Sequence, residues 1–183
     1  ESYTSRNAQP VTDAAAHAGL LRAAGSLRRA YADGEDLPAR ADMALAAMLS
    51  GLTLTNAGLG AAHGFAGPLG GMLKAPHGMV CAALLPHVMA ANLRAARAAD
   101  DGERLVARYA DVGRALGCAA GADDARAAGE AVEGAAELAC DLLIPPLGEF
   151  GLKAEHVQSV VARSLKSSSM RYNPVALDEK TLA

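Results

Sequence analysis

Two histidines, His63 and His77, stand on either side of a Gly/Pro-rich corner between two strongly apolar segments. Imidazole is the commonest protein ligand for a transition metal, and a ligand must be held rigidly to impose geometry on an ion. A His inside one helix and a second opening the next, separated by a tight turn, would supply that rigidity. Two histidines hydrogen-bonded within a helical core would have the same spacing, so position alone leaves both readings open. Asp13-Ala-Ala-Ala-His17 is a second pair, whose i, i+4 spacing puts both side chains on one helix face. His87 falls beside Pro86 and His156 on an exposed helix, and neither is assigned a role. Cys81, Cys118 and Cys140 show no ligand-like spacing and read as small buried hydrophobes.

The elements that must position these side chains are helices. Pro10-Val11-Thr12-Asp13 opens the first, with Pro in the first turn and an acid beside the positive end of the dipole. Leu20, Leu21, Ala24, Leu27 and Tyr31 follow a helical stripe until Asp33-Gly34 ends it. A second helix is expected from about Pro38 to Asn56, with Leu45, Met48, Leu49 and Leu52 on one face. Ala61 to Phe65 is expected to be helical until Pro68 and Gly70-Gly71 break it. His77 to Leu93 reads as a buried helix disturbed at Pro86. Leu105, Tyr109, Val112 and Leu116 mark a fifth helix. Asp123 to Leu143, closed by Pro145-Pro146, is a sixth, and Val157, Val160, Val161 and Leu165 mark a seventh. Ser167-Ser168-Ser169 reads as a loop, and Asp178 as the cap of a last short turn. No βαβ alternation, repeat or long linker is visible, so residues 1–183 are expected to form one all-α, bundle-like domain.

Composition agrees. The 183 residues are 51% hydrophobic but only 3% aromatic, so the core must be built from Ala, Leu, Val and Met. Ala and Leu rank high in helix propensity, and β-branched runs are almost absent. The net charge of −3 gives no reason to expect a nucleic acid or an anionic membrane as partner. An odd, widely spaced set of cysteines fits free thiols in a reducing cytoplasm. The apolar run Gly78 to Leu93 is interrupted by Pro86, His87 and Asn92, and is read as too short and too polar to span a bilayer. Gly58-x-Gly60 lacks the preceding strand and downstream acid of a dinucleotide fingerprint, and is read as letting helices pack closely.

The order Gly58-Leu59-Gly60, His63, Pro68-Leu69-Gly70-Gly71, Pro76-His77-Gly78, Leu84-Leu85-Pro86 and Asn92 resembles the metal-binding region of the iron-containing (group III) alcohol dehydrogenases. The resemblance extends from Glu1-Ser2-Tyr3 through Pro10-Val11-Thr12-Asp13 to Ser168-Ser169-Met170 and Asn173-Pro174. It implies that His63 and His77 are the third and fourth ligands of a divalent metal, Fe²⁺ or alternatively Zn²⁺. It implies reversible hydride transfer between an alcohol or aldehyde carbon and C4 of NAD or NADP, with the metal as Lewis acid on the oxygen. In that register the family's D-x-x-x-H ligand pair lies upstream of Glu1, which leaves Asp13 to helix capping and His17 to packing.

Many members have a second His four residues after the first, where this chain has Gly67. The substrate pocket is therefore expected to be wider at Gly67, and Ser169 and Met170, which precede Asn173-Pro174 in a segment that in the family runs near the substrate entrance, are expected to line it as well. Family members pair an N-terminal α/β nucleotide-binding domain with a helical metal-binding domain, and this chain resembles only the second. The chain by itself is expected to be inactive and to bind metal weakly or not at all. Homo-oligomerisation is also implied by the resemblance. A maleylacetate reductase or glycerol dehydrogenase type of enzyme, or a metal-free helical interaction module, is the alternative.

Overall fold

The computed structural model describes residues 1–117 and 121–182. Among them there are helices and turns and no strand. Eight α-helices run in chain order: α1 Pro10–Ala32, α2 Leu37–Ala57, α3 Ala61–Met72, α4 His77–Arg97, α5 Glu103–Ala115, α6 Asp124–Asp141, α7 Val157–Ser164 and the short α8 Glu179–Leu182. Three 3₁₀ turns, Leu147–Phe150, Ala154–His156 and Ser168–Tyr172, link the C-terminal elements. The expected Ser167–Ser169 loop is thus partly a 3₁₀ turn, in which the Ser169 amide donates to the Ser167 hydroxyl. Asp178 caps α8 as expected, accepting from the Thr181 amide at 2.8 Å.

The α1 and α2 helices pack as a hairpin, and α5 and α6 as a second one. Between them α4 lies against α3, α5 and α6, while α3 is covered on another side by α7. Small residues set these distances. The α2 positions facing inward are Ala39, Ala46, Thr53 and Ala57. A Cβ on Gly19 of α1 would stand 3.5 Å from the Leu49 Cβ. The large apolar residues of the expected α1 and α2 stripes do not all face inward. Leu21 and Tyr31 of α1, and Met48 and Leu52 of α2, are exposed, because close approach of two helices selects the Gly, Ala, Ser and Thr face. The main core joins Met89, Leu93 and Ala96 of α4 to Leu105 and Tyr109 of α5 and to Ala127, Ala128 and Ala131 of α6. A second core joins Phe65, Leu69, Leu73 and Val80 to Val160 and Val161 of α7.

Two expectations about helix length are corrected. The α3 helix does not stop at Phe65 but continues through Pro68 and Gly70-Gly71 to Met72. A mid-helix Pro loses one hydrogen bond and crowds the carbonyl four residues back. Here that residue is Gly64, and burial of Phe65, Ala66 and Leu69 outweighs the lost bond. Likewise α4 runs past Leu93 to Arg97, 21 residues that include an 18-residue stretch with a mean hydropathy of 1.3, so by length and composition it could cross a bilayer. In this fold its inner side is used against α3, α5 and α6, and its first turn, His77 to Met79, is exposed rather than buried.

Candidate metal centre

The α2 and α3 helices meet at 100° across Gly58-Leu59-Gly60. This corner presents the first turn of α3, and hence His63, to the N-terminal residues and the C-terminal segment. Gly58 has φ 75°, and a Cβ there would stand 2.6 Å from the Tyr172 ring. A Cβ on Gly60 would stand 2.9 Å from both Asn173 Oδ1 and Glu1 Oε1. Those two side chains do the work of an N-cap. The Ala61 amide donates to Asn173 Oδ1 at 3.1 Å, the Ala62 amide to Glu1 Oε1 at 2.7 Å and the His63 amide to Glu1 Oε2 at 3.3 Å. Three of the four amides that a helix start leaves unpaired are thereby satisfied, with an anion at the positive end of the dipole.

Asn173 is itself fixed. Its amide donates to Asn92 Oδ1 at 2.7 Å and to the Val175 carbonyl at 2.9 Å. The Asn92 amide donates to the Tyr109 hydroxyl at 3.2 Å. All three side chains are buried, and burial pushes the Tyr109 hydroxyl up to about 12. The Asn92 and Asn173 positions of the sequence pattern are therefore the pins that locate the α3 start. In the N-terminal segment Tyr3 donates to Asp111 at 2.8 Å, and Arg108 donates to the Tyr3 carbonyl.

The Glu1 carboxylate also meets the His63 side chain, with Oε2 2.5 Å from Nδ1. A carboxylate on Nδ1 fixes the ring and its tautomer, and leaves Nε2 for another partner. His77 opens α4 behind Pro76, and its ring centroid lies 5.3 Å from that of His63 at an interplanar angle of 57°. One helical turn further, Cys81 Sγ stands 3.5 Å from His77 Nε2. One ligand atom from each of His63, His77 and Cys81 lies within 4.8 Å of the other two. Two nitrogens on one tetrahedral ion are about 3.4 Å apart at metal–nitrogen lengths of roughly 2.0–2.1 Å. The 4.8 Å limit on the cluster is within about 1.4 Å of that separation.

The electrostatics of the cluster are those of donors crowded around an imidazole. The His63 pKa is raised to about 9, first by hydrogen bonding with Cys81 and next by Glu1, against the burial that would lower it. Of the two partners Glu1 is the one at 2.5 Å. Burial pushes the Glu1 carboxyl up, but the His63 hydrogen bond and the Ala62 amide help to hold it below the ordinary carboxylate value.

The structure thus brings His63 and His77 together. It does not bring Asp13 and His17 to them. Asp13 forms a two-pronged pair with Arg108, at 2.9 and 2.5 Å, and the His17 ring packs 6.2 Å from the Tyr3 ring. Asp13 does not provide the α1 side-chain cap, which is the reciprocal Gln9–Thr12 box. Gly67 sits one turn beyond His63, exposed, with nothing within 4 Å of where a Cβ would stand. Met170 packs over α3 where a Cβ on Gly64 would meet its Sδ at 2.6 Å, and Ser169 is half-buried beside it.

None of these three lines the cavity of about 270 Å³ between α1, α2, α4 and α5, whose walls include Leu20, Thr53, Met89, Asn92 and Glu1. His87 is exposed on α4, and His156 is half-buried at the end of a 3₁₀ turn, accepting from the Lys153 amide. Cys140 is exposed and Cys81 half-buried, so neither is the buried apolar thiol expected; Cys118 lies outside the described residues. Sequence reasoning missed Glu1 and Cys81 as members of the site. Cys81 had a signal, the same i, i+4 spacing from His77 that drew attention to Asp13 and His17.

The profile of the Fe-containing alcohol dehydrogenase family, C-terminal, matches residues 1–183. The chain is 37% identical over 185 aligned residues to the 1,3-propanediol dehydrogenase of Citrobacter freundii, covering 100% of this chain and 46% of that protein. The crystal structure of a 1,3-propanediol oxidoreductase superposes with a TM-score of 0.91 at 35% identity, over 100% of this chain and 46% of that one. A maleylacetate reductase from Agrobacterium tumefaciens shares the fold, with a TM-score of 0.77 at 23% identity over 100% of this chain and 46% of that one. The chain spans about half the length of the curated relatives it matches. With two imidazoles converging at a glycine corner and a match along its whole length, this chain belongs to the iron-containing alcohol dehydrogenase family, as its C-terminal, all-helical part.

Proposed function

We propose that this chain is the metal-binding part of a nicotinamide-linked alcohol dehydrogenase, in which His63 and His77 are ligands of one divalent ion. The observation behind the reading is the convergence of His63, His77 and Cys81 ligand atoms within 4.8 Å, with Glu1 seated on the far nitrogen of His63. Imidazole nitrogen and thiol sulfur form a donor set that suits Fe²⁺ and Zn²⁺ alike. When bound, such an ion supplies Lewis-acid polarisation of an alcohol or carbonyl oxygen.

The chain's own residues do the positioning. Glu1 holds the Nδ1 side of His63 and so presents Nε2 towards the ion site. Asn173, Asn92 and Tyr109 fix the start of α3, and the Pro76 turn fixes the start of α4. Gly67 leaves open space one turn beyond His63, so a substrate can approach along α3. No side chain at that position can relay a proton, which would pass to water instead. Ser169 and Met170 border this side of α3 and would contact substrate there. NAD or NADP, and the remaining ligands, would come from residues outside these 183, so this chain alone would not turn over.

The test is nicotinamide-linked oxidation of a panel of short alcohols and diols by the enzyme that contains this chain, with His63→Ala and His77→Ala beside it. Each substitution is expected to lower activity by at least roughly 10–100-fold, together with metal content. Full activity in either variant would overturn the reading. Activity confined to maleylacetate would place the protein with the related reductases.

A further inference from the structure

We propose that the cleft at the start of α5, bordered by Arg6, Arg104 and Arg108, binds the phosphate group of a small organic phosphate. The cleft, of about 260 Å³, is lined by neither His63 nor His77, so the proposal stands apart from the ion site. Arg104 and Arg108 are four residues apart on α5 and project from one face of that helix. Arg6 borders the same cleft from the N-terminal segment, and Thr4, Ser5 and Leu105, all buried, line it as well.

The three guanidinium groups are not equivalent. Both terminal nitrogens of Arg108 donate to Asp13, and one also to the Tyr3 carbonyl, with the group 4.9 Å from the centre of the Tyr3 ring. Asp13 balances its charge, so Arg108 serves as a fixed wall. Arg6 donates from Nε to the Pro174 carbonyl at 3.2 Å, which steadies the side chain and leaves both terminal nitrogens available. Arg104 forms no hydrogen bond or ion pair among the described residues. Elsewhere the chain sets arginines against acids, as at Arg28–Asp141, Arg29–Asp36 and Arg114–Asp124. Here two arginines share one cleft with a single acid, Asp101, and neither forms an ion pair with it.

Cations gathered in a cleft concentrate a counter-ion there. The guanidinium fork matches phosphate oxygens in pairs, and such charge-assisted bonds are about twice as strong as neutral ones. Ala99, Leu105 and Val175 give the cleft an apolar portion that suits a short carbon chain behind the phosphate. Asp101 opposes the anion and limits its affinity. An occupant that bridges Arg6 and Arg104 also joins α5 to the segments that hold α3, because the Arg6 amide donates to the Tyr172 carbonyl at 3.0 Å, beside Asn173.

The experiment is calorimetric titration of propyl phosphate, inorganic phosphate and butyrate into the enzyme that contains this chain, in chelator and at constant ionic strength. Propyl phosphate is expected to saturate a site that Arg6→Gln and Arg104→Gln each weaken by roughly 10–100-fold. Inorganic phosphate is expected to fill the same site less tightly. Lys153→Gln, which removes an exposed charge elsewhere, should change neither affinity, and Asp101→Asn should raise both. Hydrogen exchange at the Arg6 amide should slow with propyl phosphate in the wild type but not in Arg104→Gln. No saturable binding, binding indifferent to both arginine variants, or an equal loss in Lys153→Gln would overturn the proposal. Inorganic phosphate bound with the ester excluded would overturn the organic ligand, and butyrate bound more tightly than propyl phosphate would overturn the choice of anion. Circular dichroism of each variant, matched to the wild type, keeps a folding defect from passing as a lost site.

Discussion

Replacing Asn173 by Ala should loosen the start of α3 more than any single cap deletion at a protein surface would. The side chain makes four hydrogen bonds: its Oδ1 accepts from the Ala61 amide and from Asn92 Nδ2, and its Nδ2 donates to Asn92 Oδ1 and the Val175 carbonyl. In the alanine variant the Ala61 amide and Asn92 Oδ1 are left buried without these partners, while the half-buried Val175 carbonyl can recover water. A buried polar group left unsatisfied costs about 1–3 kcal/mol, so two cost about 2–6 kcal/mol. That is a large fraction of the roughly 5–15 kcal/mol that holds a domain folded.

Urea unfolding of the metal-free chain, followed by far-ultraviolet circular dichroism, measures the loss. Thr55→Ala, which removes only an exposed hydroxyl bonded to the Gly51 carbonyl, is the control and should change stability by less than about 0.5 kcal/mol. Glu1 caps the adjacent amides, so Asn173→Ala and Glu1→Gln should be non-additive by about 0.5–3 kcal/mol. Hydrogen exchange should show the Ala61 to His63 amides opening first in either variant. A loss below about 1 kcal/mol for Asn173→Ala, with additive behaviour, would refute the view that this network locates the His63 turn.

Other outcomes follow from the same geometry. In metal-free protein the folded pKa of His63 is about 9 against an ordinary 6.5, a raised value, so its contribution is complete below about pH 6.5 and is lost as pH rises through about 9. The full shift corresponds to about 3 kcal/mol, but a side chain 31% exposed is partly screened, which leaves about 1–2 kcal/mol. Urea midpoints of wild type and His63→Gln, compared at about pH 6 and about pH 10 in chelator, should converge at the higher pH; parallel curves would contradict it. Gly60→Ala should destabilise by about 2 kcal/mol, because its Cβ would displace both Glu1 and Asn173. Gly67→Ala, exposed within α3 with open space around it, should instead stabilise by about 0.5–1 kcal/mol in the same melts. Asp13→Asn should destabilise by about 1–3 kcal/mol through Arg108 yet leave metal affinity unchanged, as should His17→Ala; weakened metal binding in either would restore that pair as ligands.

The helical architecture was legible in the sequence because apolar spacing, caps and breakers are local. Pro10, Asp123, Pro145-Pro146 and Asp178 mark helix ends where the structure has them. The errors are tertiary. Pro68 did not end α3, because Phe65, Ala66 and Leu69 are buried on both sides of it. The large residues of α1 and α2 did not choose the packed face, because two close helices needed the small ones. In the site, His63 and His77 were visible as residue types flanking a corner. Glu1 was not, since a carboxylate 62 residues from its imidazole partner has no local signature. Arg108 likewise reaches Asp13 across 95 residues, which no i, i+4 rule can anticipate. Cys81 could have been read from its spacing to His77 alone.

The central claim is that one ion sits between His63 and His77. Crystals of the protein soaked with Zn²⁺, with diffraction recorded on both sides of the zinc absorption edge, test it most directly. One anomalous peak is expected roughly 2.0–2.1 Å from a ring nitrogen of each histidine, on the side of His63 away from Glu1. A peak beside Asp13 and His17 instead, or rings still apart and no peak between them at saturating zinc, would contradict it.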